Sequence, residues 1–230
     1  VTQHSIQNVL PWGRSFPEYQ HMFSLTPEDL GKRILGCGDG PASFNSEMTE
    51  CGHTVVSIDP IYQFSGEQIA QRIEEARPLI IENTKDYMDR YRWVPPISNL
   101  VDLVEVRMAA MNRFLADYDA GLEAGRYQFE LLPNLPFDDG SFDLALCSHF
   151  LFTYTLQLDL DTHLKNIREM CRVAKEVRIF PIVDMDGNPS EHVDPVIDAL
   201  GVEGYQVRRV KVDYEYQIGG NEMLVVARST

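Results

Sequence analysis

The stretch Arg33-Ile34-Leu35-Gly36-Cys37-Gly38-Asp39-Gly40-Pro41, followed by Val55-Val56-Ser57-Ile58-Asp59, constrains the fold more than any other part of this chain. It reads as a buried strand, a glycine turn, a helix, and a second strand ending in a carboxylate. Glycines at such a turn let backbone approach a ligand closely, and the acid can accept hydrogen bonds from both hydroxyls of a ribose. The pattern therefore points to a nucleoside-containing ligand. A dinucleotide loop, Gly-x-Gly-x-x-Gly, is not matched: counting from Gly36 the series ends at Pro41, and counting from Gly38 it ends at Ser43.

From Arg33 onward, strand-like and helix-like segments alternate, the pattern of a mostly parallel sheet. Pro41 is expected in the first turn of a helix running to about Cys51, where a proline loses no needed N–H. Strands are expected at His53 to Asp59, Arg126 to Leu132, Phe142 to His149 and Glu176 to Val183. Helices are expected at Gly66 to Arg77, at Thr162 to Ala174 with Asp161 or Thr162 as N-cap, and at His192 to Leu200, stopped by Gly201. Tyr205 to Tyr216 and Glu222 to Arg228, joined through Gly219-Gly220, read as an antiparallel hairpin.

The segment from Pro60 to Gly125 is far longer than a single crossover helix, since an entire strand–helix–strand unit takes only ~30 residues. Its surplus includes a helix bearing Leu100, Leu103, Val104, Met108, Met111, Phe114, Leu115 and Tyr118. This stripe fits a core-facing amphipathic face; the functional alternative is a cap lending apolar surface to a substrate pocket. The expected organisation is one domain over 1–230, with a covering segment at 1–31 and a helical insertion at 78–125.

A net charge of −15 disfavours a nucleic-acid partner, which needs a basic footprint. Cys37, Cys51, Cys147 and Cys171 form neither a CxxC pair nor a metal-ligand spacing, so reduced cysteines, no bound metal and a cytoplasmic location are expected. No apolar run reaches the ~20 residues of a membrane span, and Val1-Thr2-Gln3-His4 does not open a secretory signal. A homo-oligomer stays open.

With the turn, the strand-two acid and the closing hairpin in hand, the chain resembles the class I S-adenosylmethionine-dependent methyltransferases. A further point of likeness is Leu135-Pro136-Phe137-Asp138-Asp139-Gly140-Ser141-Phe142-Asp143, which matches the family's Leu-Pro-Phe segment before a Phe-Asp strand. The match runs from Arg33 to Arg228. It implies a Rossmann-like, doubly wound, seven-stranded sheet with an antiparallel last strand, plus the helical insertion between strands two and three. It implies S-adenosylmethionine as cofactor, with Gly36, Cys37, Gly38 and Gly40 along its amino-acid portion and Asp59 on its ribose. Pro60, Leu131 and Leu132 would lie by the adenine, with Ser148 at the reacting end. The family's loop-bracing acid is replaced by Ile34, and the acid that many relatives place against the adenine amino group aligns with Leu131. Adenine would then rely on backbone near Leu132, on Pro60 or Ile61, or on Glu130.

Cys147-Ser148-His149-Phe150 follows the fourth strand, at the edge where open sheets bind ligands. His149 is the candidate general base or substrate-orienting group, because an imidazole titrates near neutrality; a hydrogen-bonded structural histidine is the alternative. Tyr19 or Phe23, in the aromatic-rich leading segment, could face the sulfonium, since ring faces attract cations. A docking helix is the competing role. Arg14, Arg107 and Arg113 could bind a substrate carboxylate or phosphate, or be structurally paired. Asp143 reads as a loop-geometry acid. The expected activity is methyl transfer to a small-molecule acceptor, the alternative a non-catalytic protein of this fold that binds a nucleoside or a protein partner.

Overall fold

The computed structural model describes residues 11–228. Two short helices, α1 (Phe16–Met22) and α2 (Pro27–Leu30), precede β1 (Ile34–Cys37), α3 (Phe44–Glu50) and β2 (Val55–Ile58). Two long helices follow, α4 (Gly66–Asp86) and α5 (Leu100–Glu123), then β3 (Tyr127–Gln128) and β4 (Phe142–Ser148). The chain closes with α6 (Leu160–Val173), β5 (Ala174–Phe180), α7 (Val193–Val202), β6 (Tyr205–Lys211) and β7 (Glu222–Arg228). The sheet order is β3-β2-β1-β4-β5-β7-β6. Strands β1 to β5 pair in parallel, while β7 runs antiparallel to both neighbours. This is the expected doubly wound, seven-stranded sheet with a reversed last strand.

Alternate residues of each strand face opposite layers. Leu35, Cys37, Ala145, Cys147 and Val177 point to one layer with Ile167 and Met170 of α6 and Val196 and Leu200 of α7. Ile34, Val55, Leu144 and Leu146 point to the other, against Tyr19, Met22, Phe23, Phe44 and Met48. A third cluster joins Ile69 and Ile73 of α4 to Met111, Phe114 and Tyr118 of α5, with Tyr62 and Tyr127. The apolar stripe of α5 is therefore core, and α4 runs through Pro78 without interruption, so position 78 lies inside a helix.

Several boundaries move for identifiable reasons. The helix after the glycine turn begins only at Phe44, leaving Pro41 in the loop, because the loop spends its polar groups on neighbouring elements. Asp159, not Asp161 or Thr162, caps α6 by accepting from the Thr162 N–H. Gly201 lies inside α7, and the chain turns at Gly204, whose φ of +87° suits a glycine. The third strand shrinks to two residues, since Leu131 is drawn into a local bridge with Asn134.

Part of the expected covering segment, residues 1–10, lies outside the described residues. From Trp12 the chain is clamped over the glycine loop: Ser43 N–H donates to Arg14 O at 3.0 Å, and Phe16 N–H to Glu47 at 3.1 Å. A Cβ on Gly13 would sit 2.0 Å from Pro41 O, so only glycine allows this approach. Gly13→Ala is expected to lower stability by about 1–3 kcal/mol in urea denaturation, the usual cost of forcing backbone apart; an unchanged midpoint would show that the clamp tolerates displacement.

Candidate functional site

The glycine loop is fixed from three sides. Gly38 N–H donates to Ile58 O at 2.9 Å, Gly40 N–H to Asp59 at 2.9 Å, and Tyr62 Oη donates to Gly40 O at 2.7 Å. Gly38 and Gly40 adopt φ of +69° and +55°, a region that glycine enters without steric strain. Asp39 folds back so that its Oδ2 would stand 1.8 Å from a Cβ on Gly36. There it accepts from Ser57 Oγ at 2.6 Å and from Tyr19 Oη at 2.9 Å. Ile34 is fully buried apolar core, and the loop-bracing carboxylate missing at that position is supplied by Asp39. An acid between two glycines was the available signal.

Burial pushes Asp39 up to about 7, against the hydrogen bonds from Ser57 and Tyr19 that favour its charge. Because the folded value lies above the unfolded one, its contribution to stability is full below about pH 4 and is lost as the pH rises through about 7. Asp39→Asn, which cannot ionise, is expected to flatten that decline between pH 4 and 8 in urea denaturation. A variant profile parallel to that of the wild type would refute the assignment.

Asp59 is half-buried at the end of β2. One carboxylate oxygen accepts from Gly40 N–H and the other from Ile61 N–H at 2.7 Å. Each oxygen retains a second lone pair. Burial raises Asp59 to about 6, opposed by those two N–H groups. Pro60 opens the following turn. Beyond β3 lies a cleft of about 370 Å³ lined by Phe129, Glu130, Leu131, Leu132 and Asn134. Leu131 and Leu132 therefore share one cleft with the half-exposed Phe129, which the sequence reading did not single out.

Ser148 ends β4 and His149 follows it with a φ of +50°. Such a backbone is uncommon for a residue with a side chain and marks a position worth a functional hypothesis. His149 N–H donates to Phe180 O at 2.6 Å, and Nδ1 lies 3.0 Å from Ser148 Oγ. Burial holds the imidazole well below its ordinary value, helped by the charges of Arg14 and Arg107, so it is neutral near pH 7. Tyr19 is 1% exposed and stacks on Phe44 at 4.4 Å. Phe23 is wholly buried. Both rings are core, so the expectation of a ring face turned toward a sulfonium is corrected: Tyr19 holds Asp39.

Above His149, the leading segment, α5 and the loop between β6 and β7 converge. Arg107 is fully buried and ion-paired with Glu18, which also accepts from Tyr214 Oη at 2.9 Å and from Ser15 N–H and Oγ at 3.0 Å. Burial opposes the charge on Glu18, but Arg107 outweighs it and the carboxyl falls to about 2. The β6–β7 loop is held by Tyr216, stacked on Tyr91 at 4.8 Å, and by Arg92 N–H donating to Tyr216 O at 2.8 Å. Arg113 pairs with Glu50 on the surface, away from this group. Asp143 takes bonds from Arg33 N–H and Lys175, a structural role. Cys37, Cys51, Cys147 and Cys171 are free thiols.

The strand order, with its single reversed strand, is the fold of the class I S-adenosylmethionine-dependent methyltransferases. No family model matches the chain. An uncharacterised protein of Methanocaldococcus jannaschii is 28% identical over 225 residues, covering 97% of this chain and 98% of its own. Among solved structures, the magnesium protoporphyrin IX methyltransferase of Synechocystis with S-adenosylmethionine bound is similar at 13% identity and a TM-score of 0.47, over 88% of this chain and 73% of that one. An S-adenosylmethionine-dependent methyltransferase of Aquifex aeolicus is similar at 19% identity and a TM-score of 0.42, over 92% of each chain. Among the described residues, no helix is long and apolar enough to cross a membrane.

Proposed function

We propose that this protein transfers a methyl group from S-adenosylmethionine to a small-molecule acceptor. The observation that carries the reading is the set of groups on one sheet edge: a glycine loop with Gly38 and Gly40 in left-handed backbone, Asp59 with lone pairs to spare, and a neutral His149. Asp59 would accept from the ribose hydroxyls, and the loop backbone through Gly36, Cys37, Gly38 and Gly40 would line the amino-acid portion, with Asp39 folded over Gly36, Phe150 against Gly38, and the open approach at Gly40. The cleft at Leu131 and Leu132, with Pro60 beside Asp59, suits a flat apolar base; Phe129 adds a half-exposed ring there.

The cofactor, when bound, supplies a methyl group already made electrophilic by a cationic sulfur. The chain's own task is then alignment and exclusion of water. Ser148 fixes the His149 ring through Nδ1. With Nδ1–H donating to Ser148 Oγ, Nε2 keeps a lone pair that would orient the proton of the attacking group, the role that suits a ring whose basicity is lowered by burial. The helical insertion at 78–125 contributes Arg107 and the Tyr91 stack to the cover over this edge, which supports a capping role. Free cysteines and an acidic surface favour a cytoplasmic protein without a nucleic-acid partner.

Calorimetry with S-adenosylhomocysteine, followed by a screen for its formation from S-adenosylmethionine across acceptor classes, tests the reading. Binding with acceptor-dependent turnover supports it. No binding at millimolar concentration sinks it, and binding without turnover across the screen would leave the non-catalytic alternative in its place.

A further inference from the structure

Three buried polar atoms close to this cover find no acceptor among the described residues: Arg14 Nε, Arg107 Nε and the Tyr216 hydroxyl. They come from three separate parts of the chain, the segment before α1, the middle of α5, and the loop between β6 and β7. Arg107 Cζ stands 5.9 Å from the centre of the Tyr216 ring. The acid of the group, Glu18, already receives Arg107, Tyr214 and Ser15. Arg14 brings a second guanidinium to the group, and among the described residues its side chain hydrogen-bonds to Trp12 O alone, at 3.4 Å. Buried donors without acceptors are unfavourable, as is an uncompensated buried charge.

All three atoms can donate, so the group that complements them is an oxyanion. Arg14, His149 and Tyr216 are each half-buried, and the three donor atoms themselves lie beneath the surface. On a chain of net charge −15 it is also a local exception, able to concentrate anions that the rest of the surface repels. We propose that Arg14, supported by Arg107 and Tyr216, binds the carboxylate or phosphate of the acceptor, which makes the substrate an anionic small molecule. This rests on the methyl-transfer reading, in which His149 beside the cluster meets the reacting group. The carboxylate of the cofactor shares the same chemistry, and the test must separate the two sources.

The full chain, saturated with S-adenosylhomocysteine at pH 7, is titrated by calorimetry with benzoate and phenyl phosphate, and with benzyl alcohol as the uncharged control. At least one anion is expected to bind and the alcohol not to. Arg14→Met should weaken the anion by about 30-fold and Tyr216→Phe by about fivefold, the range for charge-assisted and neutral hydrogen bonds. Affinity for S-adenosylhomocysteine should stay within about twofold in both variants. No anion binding to the wild type, or equal binding to Arg14→Met, would overturn the proposal. So would a tenfold loss of S-adenosylhomocysteine affinity in Arg14→Met, which would give the arginine to the cofactor. The same titration on cofactor-free protein keeps the two readings apart: Arg14-dependent anion binding there stands even if S-adenosylhomocysteine does not bind.

Discussion

Asp59→Ala is expected to weaken S-adenosylhomocysteine binding by about 100-fold, the effect of losing two charge-assisted hydrogen bonds worth ~1.5 kcal/mol each. The same change strips the acceptors from Gly40 N–H and Ile61 N–H, so the glycine loop loses its anchor to β2 as well. Comparing variants separates the two effects. Asp59→Asn keeps one oxygen for the turn but cannot accept from both hydroxyls, so it should fold closer to wild type while remaining a poor binder. The protonation state gives a second handle. With burial holding Asp59 at about 6, the carboxylate that would accept from the ribose disappears as the pH falls from 7 to 5, and wild-type affinity should decline over that window. In Asp59→Asn the decline should be absent. Calorimetry at several pH values checks both, and wild-type affinity in Asp59→Ala would remove Asp59 from the site.

Arg107→Met should destabilise the fold by about 3–5 kcal/mol, because it leaves the Glu18 carboxylate buried without its cation. Glu18 is 7% exposed and Arg107 0%, so water cannot replace the lost partner. Glu18→Gln should cost about as much, since it leaves the Arg107 guanidinium buried without its anion even though Gln retains an acceptor for the Tyr214 hydroxyl. The double variant Glu18→Gln/Arg107→Met should recover much of the loss, as replacing both members of a buried pair is commonly near neutral. Urea denaturation of the four proteins closes the cycle. A loss below about 1 kcal/mol in Arg107→Met would show that the pair is loosely held.

Much of the fold was legible before any coordinates. The β1 and β2 segments, the closing hairpin and the stripe on α5 follow from local patterns: apolar runs, a glycine turn, and helical spacing that ends up facing Tyr62 and Ile73. Boundaries were less legible because they depend on which polar group wins a local competition. Asp159 outcompetes Asp161 as a cap, and Leu131 bridges to Asn134 instead of extending β3. The site was legible where chain neighbours build it, at Gly38, Gly40, Asp59 and Ser148-His149. It was opaque where distant segments meet. Nothing near Tyr19 in the sequence announces that its hydroxyl will hold Asp39, and nothing near Glu18 announces Arg107 or Tyr214. The left-handed backbone of His149 has no sequence signature either, since histidine enters that region only when its surroundings require it.

The clamp formed by the leading segment also sets an order of events during synthesis. Glu18 leaves the ribosome early, yet its partners Arg107 and Tyr214 lie 89 and 196 residues further along. Contacts that distant in sequence cannot form until the loop between β6 and β7 has emerged. The leading segment is thus made before the elements that seat it, and until they emerge the glycine loop is assembled without its full cover.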